Sequence, residues 1–178
     1  SREQEIKQHL PILMDLVKKT QEQNMKLNFE LFCAPGLKPS FLQKFIKHRC
    51  VKINNNSILT SFQNIDFAFV ASGTASLECA ITLTPMVVIY KMSAFSWWVA
   101  QLFIKTPFAS IINILDDQLV VKELLQRDLT VPCLLKTMKE SLNNPKKRQE
   151  QQNKILDVIK PMATKHVYRR TCSYIVSC

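Results

Sequence analysis

The residues best suited to chemistry are Ser72, Gly73 and Thr74, which stand between an apolar run and an apolar helical pattern. The run at 67–71 predicts a short buried strand, and the small residues after it predict a turn into a helix. Such a helix start offers free backbone N–H groups and about half a positive charge to a phosphate. Glu78 follows Thr74 by one helical turn, where a carboxylate reaches a ribose hydroxyl. Phosphate and ribose together indicate a nucleotide or a nucleotide-sugar.

Two other polar residues extend this candidate site. Arg2 precedes a predicted helix, and its guanidinium group has the geometry to grip a diphosphate. Asn113 is a lone amide inside the apolar run 110–115, where it would bond either a ligand or a buried backbone group. The turn Ser72–Thr74 also has a purely structural interpretation, since Ser and Thr are the usual helix-capping residues. The combination in one chain favours ligand binding.

The elements that must position these residues follow from the apolar spacing. Helices are predicted at 3–22, 39–47, 57–63 and 75–83, and strands at 26–34, 51–53, 67–71 and 86–90. Apolar strands that alternate with helices predict an α/β fold, a Rossmann-like parallel sheet with helices on both faces. We expect Val121–Gln126 to open a helix, and 136–143 and 148–164 to form a helical C-terminal tail. The predicted domains are residues 1–126 for the ligand and 127–178 for the tail.

Composition narrows the function. The chain has 178 residues, 47% of them hydrophobic, and a net charge of +10. Ten Lys and Arg against three acids lie between Lys136 and Arg170, but no aromatic residue interleaves with them up to Lys165. A nucleic-acid surface is therefore not expected. Six cysteines without Cys-x-x-Cys spacing and three scattered histidines, expected at the surface, predict no metal and a reducing, cytoplasmic location.

The most hydrophobic segment is 92–104, which has thirteen residues between Lys91 and Lys105. A helix that spans a bilayer needs about twenty. Two interpretations remain open: a buried helix, or an interfacial helix with Trp97 and Trp98 at the depth of the lipid headgroups.

Several segments together resemble one family, the lipid-A-disaccharide synthases, which are glycosyltransferases of the GT-B type. The chain starts with SREQEI, similar to the family's Gly-Ser-Arg-x-x-Glu element, and its block 71–78 (ASGTASLE) resembles the Ala-Ser-Gly-Thr-Ala-x-Leu-Glu motif. The segments 85–92 (PMVVIYKM), 105–115 and 123–126 (ELLQ) follow in the family's order. The resemblance ends near Gln126, and residues 166–178 have no counterpart in it.

The resemblance implies the C-terminal, donor-binding domain of a GT-B enzyme. Arg2 and the turn Ser72–Thr74 would hold the diphosphate of a UDP-sugar, Glu78 its ribose, and Asn113 would orient the donor. The implied reaction joins UDP-2,3-diacylglucosamine to 2,3-diacylglucosamine 1-phosphate, giving a β-1,6 disaccharide and UDP at the inner-membrane surface. No metal or other cofactor is implied. The general base is expected in an N-terminal acceptor domain, which is absent here.

Two alternatives accompany this interpretation. The chain resembles, with fewer motifs, other GT-B enzymes such as a UDP-GlcNAc 2-epimerase or the UDP-GlcNAc transferase of peptidoglycan synthesis. It would otherwise be a split fragment that acts only as a UDP-sugar-binding module and is inactive alone. Its partners would then be a second copy of itself, as in the family's homodimers, or a separate N-terminal half.

Overall fold

A computed structural model describes residues 3–32, 39–46, 48–56, 58–92 and 106–163. Its helices are α1 (Glu3–Glu22), α2 (Pro39–Gln43), α3 (Ile58–Ser61), α4 (Thr74–Ile81), α5 (Ile111–Asp116), α6 (Val131–Leu142) and α7 (Pro145–Ile159). Its strands are β1 (Phe29–Phe32), β2 (Val51–Asn54), β3 (Ala68–Ala71), β4 (Met86–Tyr90) and β5 (Lys122–Leu125). Short 3₁₀ helices follow α3, at Phe62–Asn64, and α7, at Lys160–Ala163.

All strand pairs in the described residues are parallel. β1 pairs with β2, and a three-stranded sheet has the order β3-β4-β5. Because parallel strands need crossover connections, helices lie between them and cover the faces of the sheet. The predicted α/β class with a Rossmann-like parallel sheet is therefore confirmed.

The central strand β4 shows why both faces are covered. Met86 and Val88 pack with residues of α4, α5 and α7, whereas Val87 and Ile89 pack with α1 and α6. Side chains alternate between the two faces of a strand, so an unbroken apolar run such as β4 is stable only between two helical layers. A third cluster joins α1 and α2 to β2.

One predicted helix is wrong. Residues 122–125 form β5, which pairs with β4 from Val87↔Lys122 to Tyr90↔Leu125. The pairing with a buried strand outweighs the helix propensity of Lys, Glu and Leu, and Leu124 is buried in the core as a result. The strand ends at Leu125, and Gln126 follows it with a φ of 48°.

The two terminal helices are confirmed, but they begin earlier than expected. Thr130 and Asn144 cap α6 and α7, because their side chains accept hydrogen bonds from the backbone N–H groups of Cys133 and Lys147. A proline lies in the first turn of each helix, where its missing N–H costs nothing. The division of the chain at residue 126 stays a prediction.

Candidate functional site

The turn from β3 to α4 lies where expected, at the carboxyl end of a parallel strand. Gly73 has a φ of 136°, a conformation that side chains disfavour, and a Cβ there would meet no atom within 4 Å. Thr74 begins α4 and is exposed. The first N–H groups of a helix have no partner within the helix. In the part of the chain that the structure describes, the N–H groups of Gly73 and Thr74 donate no backbone hydrogen bond, which is an arrangement that suits an anion.

Ser72 is bonded on two sides. Its N–H donates to the Ile89 carbonyl oxygen over 3.1 Å, which ties the turn to β4. Its hydroxyl donates to the Ala109 carbonyl oxygen over 2.6 Å. Because a hydroxyl has one proton, the Ser72 hydroxyl in this state can accept a hydrogen bond but has no proton left to donate.

Glu78 is half-buried on α4, one turn beyond Thr74. Within the described residues its carboxylate makes no hydrogen bond or ion pair, which leaves both oxygens free to accept. The predicted contacts of Ser72, Gly73, Thr74 and Glu78 with a ligand stay predictions, but the fold does bring all four residues to one end of α4.

Asn113 is fully buried in α5 and makes three side-chain hydrogen bonds. Its Nδ2 donates to the Val121 carbonyl oxygen over 2.8 Å and to Oε1 of Glu123 over 2.7 Å. Its Oδ1 accepts from the N–H of Val121 over 2.9 Å. These bonds connect α5 to β5, and a contact with a ligand stays a prediction.

Glu123 is not among the site residues predicted from the sequence, where the segment 121–126 is expected to open a helix. The structure places it in β5, with its carboxylate against the segment before α5. Oε2 accepts from the N–H of Ala109 over 2.9 Å, and Oε1 accepts from the N–H of Ser110 over 2.8 Å. The sequence signals for this role were an acid within the run VVKELL and its place at the start of the family-like segment 123–126.

His9 was expected at the surface, and this expectation is wrong. The side chain is 5% exposed, and its Nε2 accepts a hydrogen bond from the N–H of Lys91 over 2.8 Å. Burial, the largest influence, lowers the pKa of His9, and nearby Glu5 opposes this effect. The imidazole is therefore neutral, and by accepting the N–H of Lys91 it holds the backbone just beyond β4.

An open groove of about 720 Å³ lies beside this histidine. It runs between the first half of α1, the end of β4 and the segment before α6, and Lys7, Ile12, Lys91, Met92 and Pro132 are among the residues that line it. The groove thus lies at the carboxyl edge of the sheet, where open α/β folds bind their ligands.

Several predictions fall outside the described residues. Arg2, residues 93–104 of the hydrophobic segment, and the tail 164–178 belong to this group. In the part of the chain that the structure does describe, no helix is long and apolar enough to cross a membrane. Across that same part, no group of three or more His, Cys, Asp or Glu residues is arranged to hold a metal ion.

The fold defines a Rossmann-like α/β domain. In it, helix α4 begins directly after the carboxyl end of strand β3. The sequence model of the lipid-A-disaccharide synthetase family matches residues 1–174. The chain belongs to this family. The match continues well beyond Gln126, where the resemblance in the motifs ended.

Curated relatives agree with this assignment. The chain is 32% identical over 157 residues to lipid-A-disaccharide synthase 1 of Legionella pneumophila strain Lens, covering 87% of this chain and 41% of the relative. It is 32% identical over 149 residues to lipid-A-disaccharide synthase of Coxiella burnetii, covering 84% of this chain and 39% of the relative. The chain thus spans about two fifths of the length of the relatives it matches.

Proposed function

We propose that this chain is the donor-binding part of a glycosyltransferase of lipid A biosynthesis. The donor is UDP-2,3-diacylglucosamine, the acceptor is 2,3-diacylglucosamine 1-phosphate, and the products are the β-1,6 disaccharide and UDP. The observation that carries the proposal is the turn Ser72–Thr74 at the carboxyl end of β3, with Glu78 on the helix that follows. The family membership supports the same reaction.

The proposed chemistry needs stabilisation of the leaving group. As the glycosidic bond breaks, negative charge grows on the UDP diphosphate, and fixed donors that face this charge lower the barrier. The N–H groups of Gly73 and Thr74 supply such donors, and Arg2 adds a cation. Glu78 accepts from the ribose hydroxyls. We assign the general base to an N-terminal acceptor domain, as the family resemblance implies.

We place the protein at the cytoplasmic face of the inner membrane, where a lipid-linked acceptor is available. Lys146 and Lys147 are exposed at the start of α7 and offer positive charge to anionic headgroups. We further propose that the chain pairs either with a second copy of itself, as in a homodimer, or with a separate N-terminal half of the enzyme.

Titration of the 178-residue chain with UDP by calorimetry tests the donor site. Glu78→Gln keeps the shape of the side chain but loses a charged acceptor, so we expect a loss of affinity on the order of tenfold. Glu140→Gln, on the exposed side of α6, is the matched control and should bind like the wild type.

Two results would contradict the proposal in different ways. If the wild-type chain binds no UDP at millimolar concentration, the donor site is wrong. If it binds UDP but Glu78→Gln binds equally well, the ribose contact is wrong while the diphosphate turn stands.

The second candidate function is a UDP-sugar-binding module without transferase activity. Both candidates use the turn Ser72–Thr74 to bind the donor. Addition of an N-terminal acceptor domain of the family, with donor and acceptor, separates the two candidates. Release of UDP and formation of disaccharide support the transferase, whereas UDP binding without turnover supports the module.

A further inference from the structure

We propose that Glu123 is a positioning residue for the turn Ser72–Thr74, and that it acts through the backbone of Ala109 and Ser110. This inference rests on the proposed function only for the ligand that the turn would bind. The arrangement of Glu123, Ala109 and Ser72 is a property of the fold itself.

The carboxylate of Glu123 holds the segment before α5. Its two oxygens accept three hydrogen bonds of 2.7–2.9 Å, from the N–H groups of Ala109 and Ser110 and from Nδ2 of Asn113. Bonds to a charged acceptor are about twice as strong as neutral ones. Glu123 therefore fixes both the segment before α5 and the first turn of that helix.

The second step leads from Ala109 to the turn. Ala109 donates its N–H to Glu123. The carbonyl oxygen of Ala109 accepts a hydrogen bond from the Ser72 hydroxyl over 2.6 Å. Ser72 is held on its other side by the N–H donation to Ile89. Glu123, Ala109 and Ser72 thus form one hydrogen-bonded chain from β5 to the start of α4.

The third step explains why the position needs a carboxylate. Both oxygens must accept, because each one faces at least one N–H donor. A glutamine of the same shape has one acceptor oxygen and one NH₂ donor. In Glu123→Gln, one N–H group of the segment therefore loses its acceptor and faces another donor. The substitution changes the connection without changing the volume.

Hydrogen–deuterium exchange of the ligand-free chain tests the connection directly. We expect Glu123→Gln to increase the exchange of amides in 106–113 and in 72–76 on the order of tenfold, while α1 and β2 keep their rates. Glu140→Gln is the matched control and should leave both segments unchanged. Ser72→Ala cuts the same chain at its other end and should loosen 72–76 while Glu123 remains intact.

UDP affinity supplies the second readout. If Glu123 acts through Ser72, the double variant Glu123→Gln/Ser72→Ala should bind UDP no more weakly than the weaker single variant. Uridine, which lacks the diphosphate, should lose less affinity than UDP. A purely structural role would instead lower both affinities equally and add to the effect of Ser72→Ala.

The outcomes separate the two proposals. Unchanged exchange at 72–76 in Glu123→Gln overturns the positioning role, and so does a uniform increase over the whole chain in that variant. A wild-type chain that binds no UDP overturns the proposed function, and the exchange experiment still decides the role of Glu123. If Glu123→Gln does not fold, Glu123→Asp, which keeps the charge on a shorter side chain, replaces it, and unchanged exchange at 72–76 in that variant overturns the role.

Discussion

At the scale of single residues, several polar side chains near the carboxyl edge of the sheet are already hydrogen-bonded within the protein. Asn113 bonds both backbone groups of Val121, and Ser72 donates its hydroxyl proton to Ala109. In the described residues no buried side-chain nitrogen or oxygen lacks a partner. Since an unpaired buried polar group costs about 1–3 kcal/mol, these bonds stabilise one arrangement of the edge. Exposed Thr74 and half-buried Glu78 remain available for recognition.

His9 makes a prediction about pH. Its pKa is lowered in the folded chain, mainly by burial, so the unfolded chain binds the extra proton more readily. The free energy of unfolding should therefore decrease as the pH falls below the ordinary histidine value of 6.5. Protonation also removes the acceptor for the N–H of Lys91. Urea denaturation across this pH range measures the effect.

His9→Gln keeps an acceptor for Lys91 but does not titrate, so this part of the pH dependence should disappear. His48→Gln is the matched control, because His48 is only half-buried. A His9→Gln chain that loses stability with falling pH as steeply as the wild type would show that other groups cause the loss.

At the scale of the elements, sequence patterns predicted the helices and strands whose own residues are sufficient to determine their structure. The unbroken apolar run of β4 and the spacing of α1 were sufficient, and so was the small-residue turn between β3 and α4. β5 could not be predicted in this way. Its residues favour a helix when taken alone, and only the pairing with β4 makes them a strand.

The candidate site divides in the same way. The turn Ser72–Thr74 and the position of Glu78 follow from local sequence. The partners of Asn113 do not, because Val121 and Glu123 reach it only after β5 has joined the sheet. The role of Glu123 was missed for the same reason, and the buried position of His9 depends on β4 as well.

The docking of α7 on the sheet depends on one side chain in particular. Gln151 bonds both backbone groups of Met86, with its Oε1 accepting and its Nε2 donating over 2.9 Å each. We expect Gln151→Ala to lower the free energy of unfolding by about 1–3 kcal/mol, because Met86 loses both partners. Gln149→Ala on the same helix, whose side chain bonds only exposed Asn153, should change it far less. Equal changes in the two variants would show that the bonds of Gln151 to Met86 do not stabilise the fold.

At the scale of the whole molecule, the two helical layers depend on the sheet between them. α1 and α6 contact each other on one face, while α4, α5 and α7 pack together on the other. The last two helices thus share their core with strands near the middle of the chain. This arrangement bears on the predicted division at residue 126, which would make 127–178 a separate tail.

Ile155 offers the sharpest test of that division. It is fully buried in α7 and packs in one cluster with Met86 and Val88, whereas the neighbouring Leu156 is 42% exposed. If the chain unfolds as one unit, Ile155→Ala should lower the free energy of unfolding by about 2–5 kcal/mol and increase the exchange of β4 amides equally. Leu156→Ala, a similar truncation one residue away, should cost much less. If Ile155→Ala instead loosens only α7 and leaves β4 protected, the tail unfolds independently and the division at residue 126 is correct.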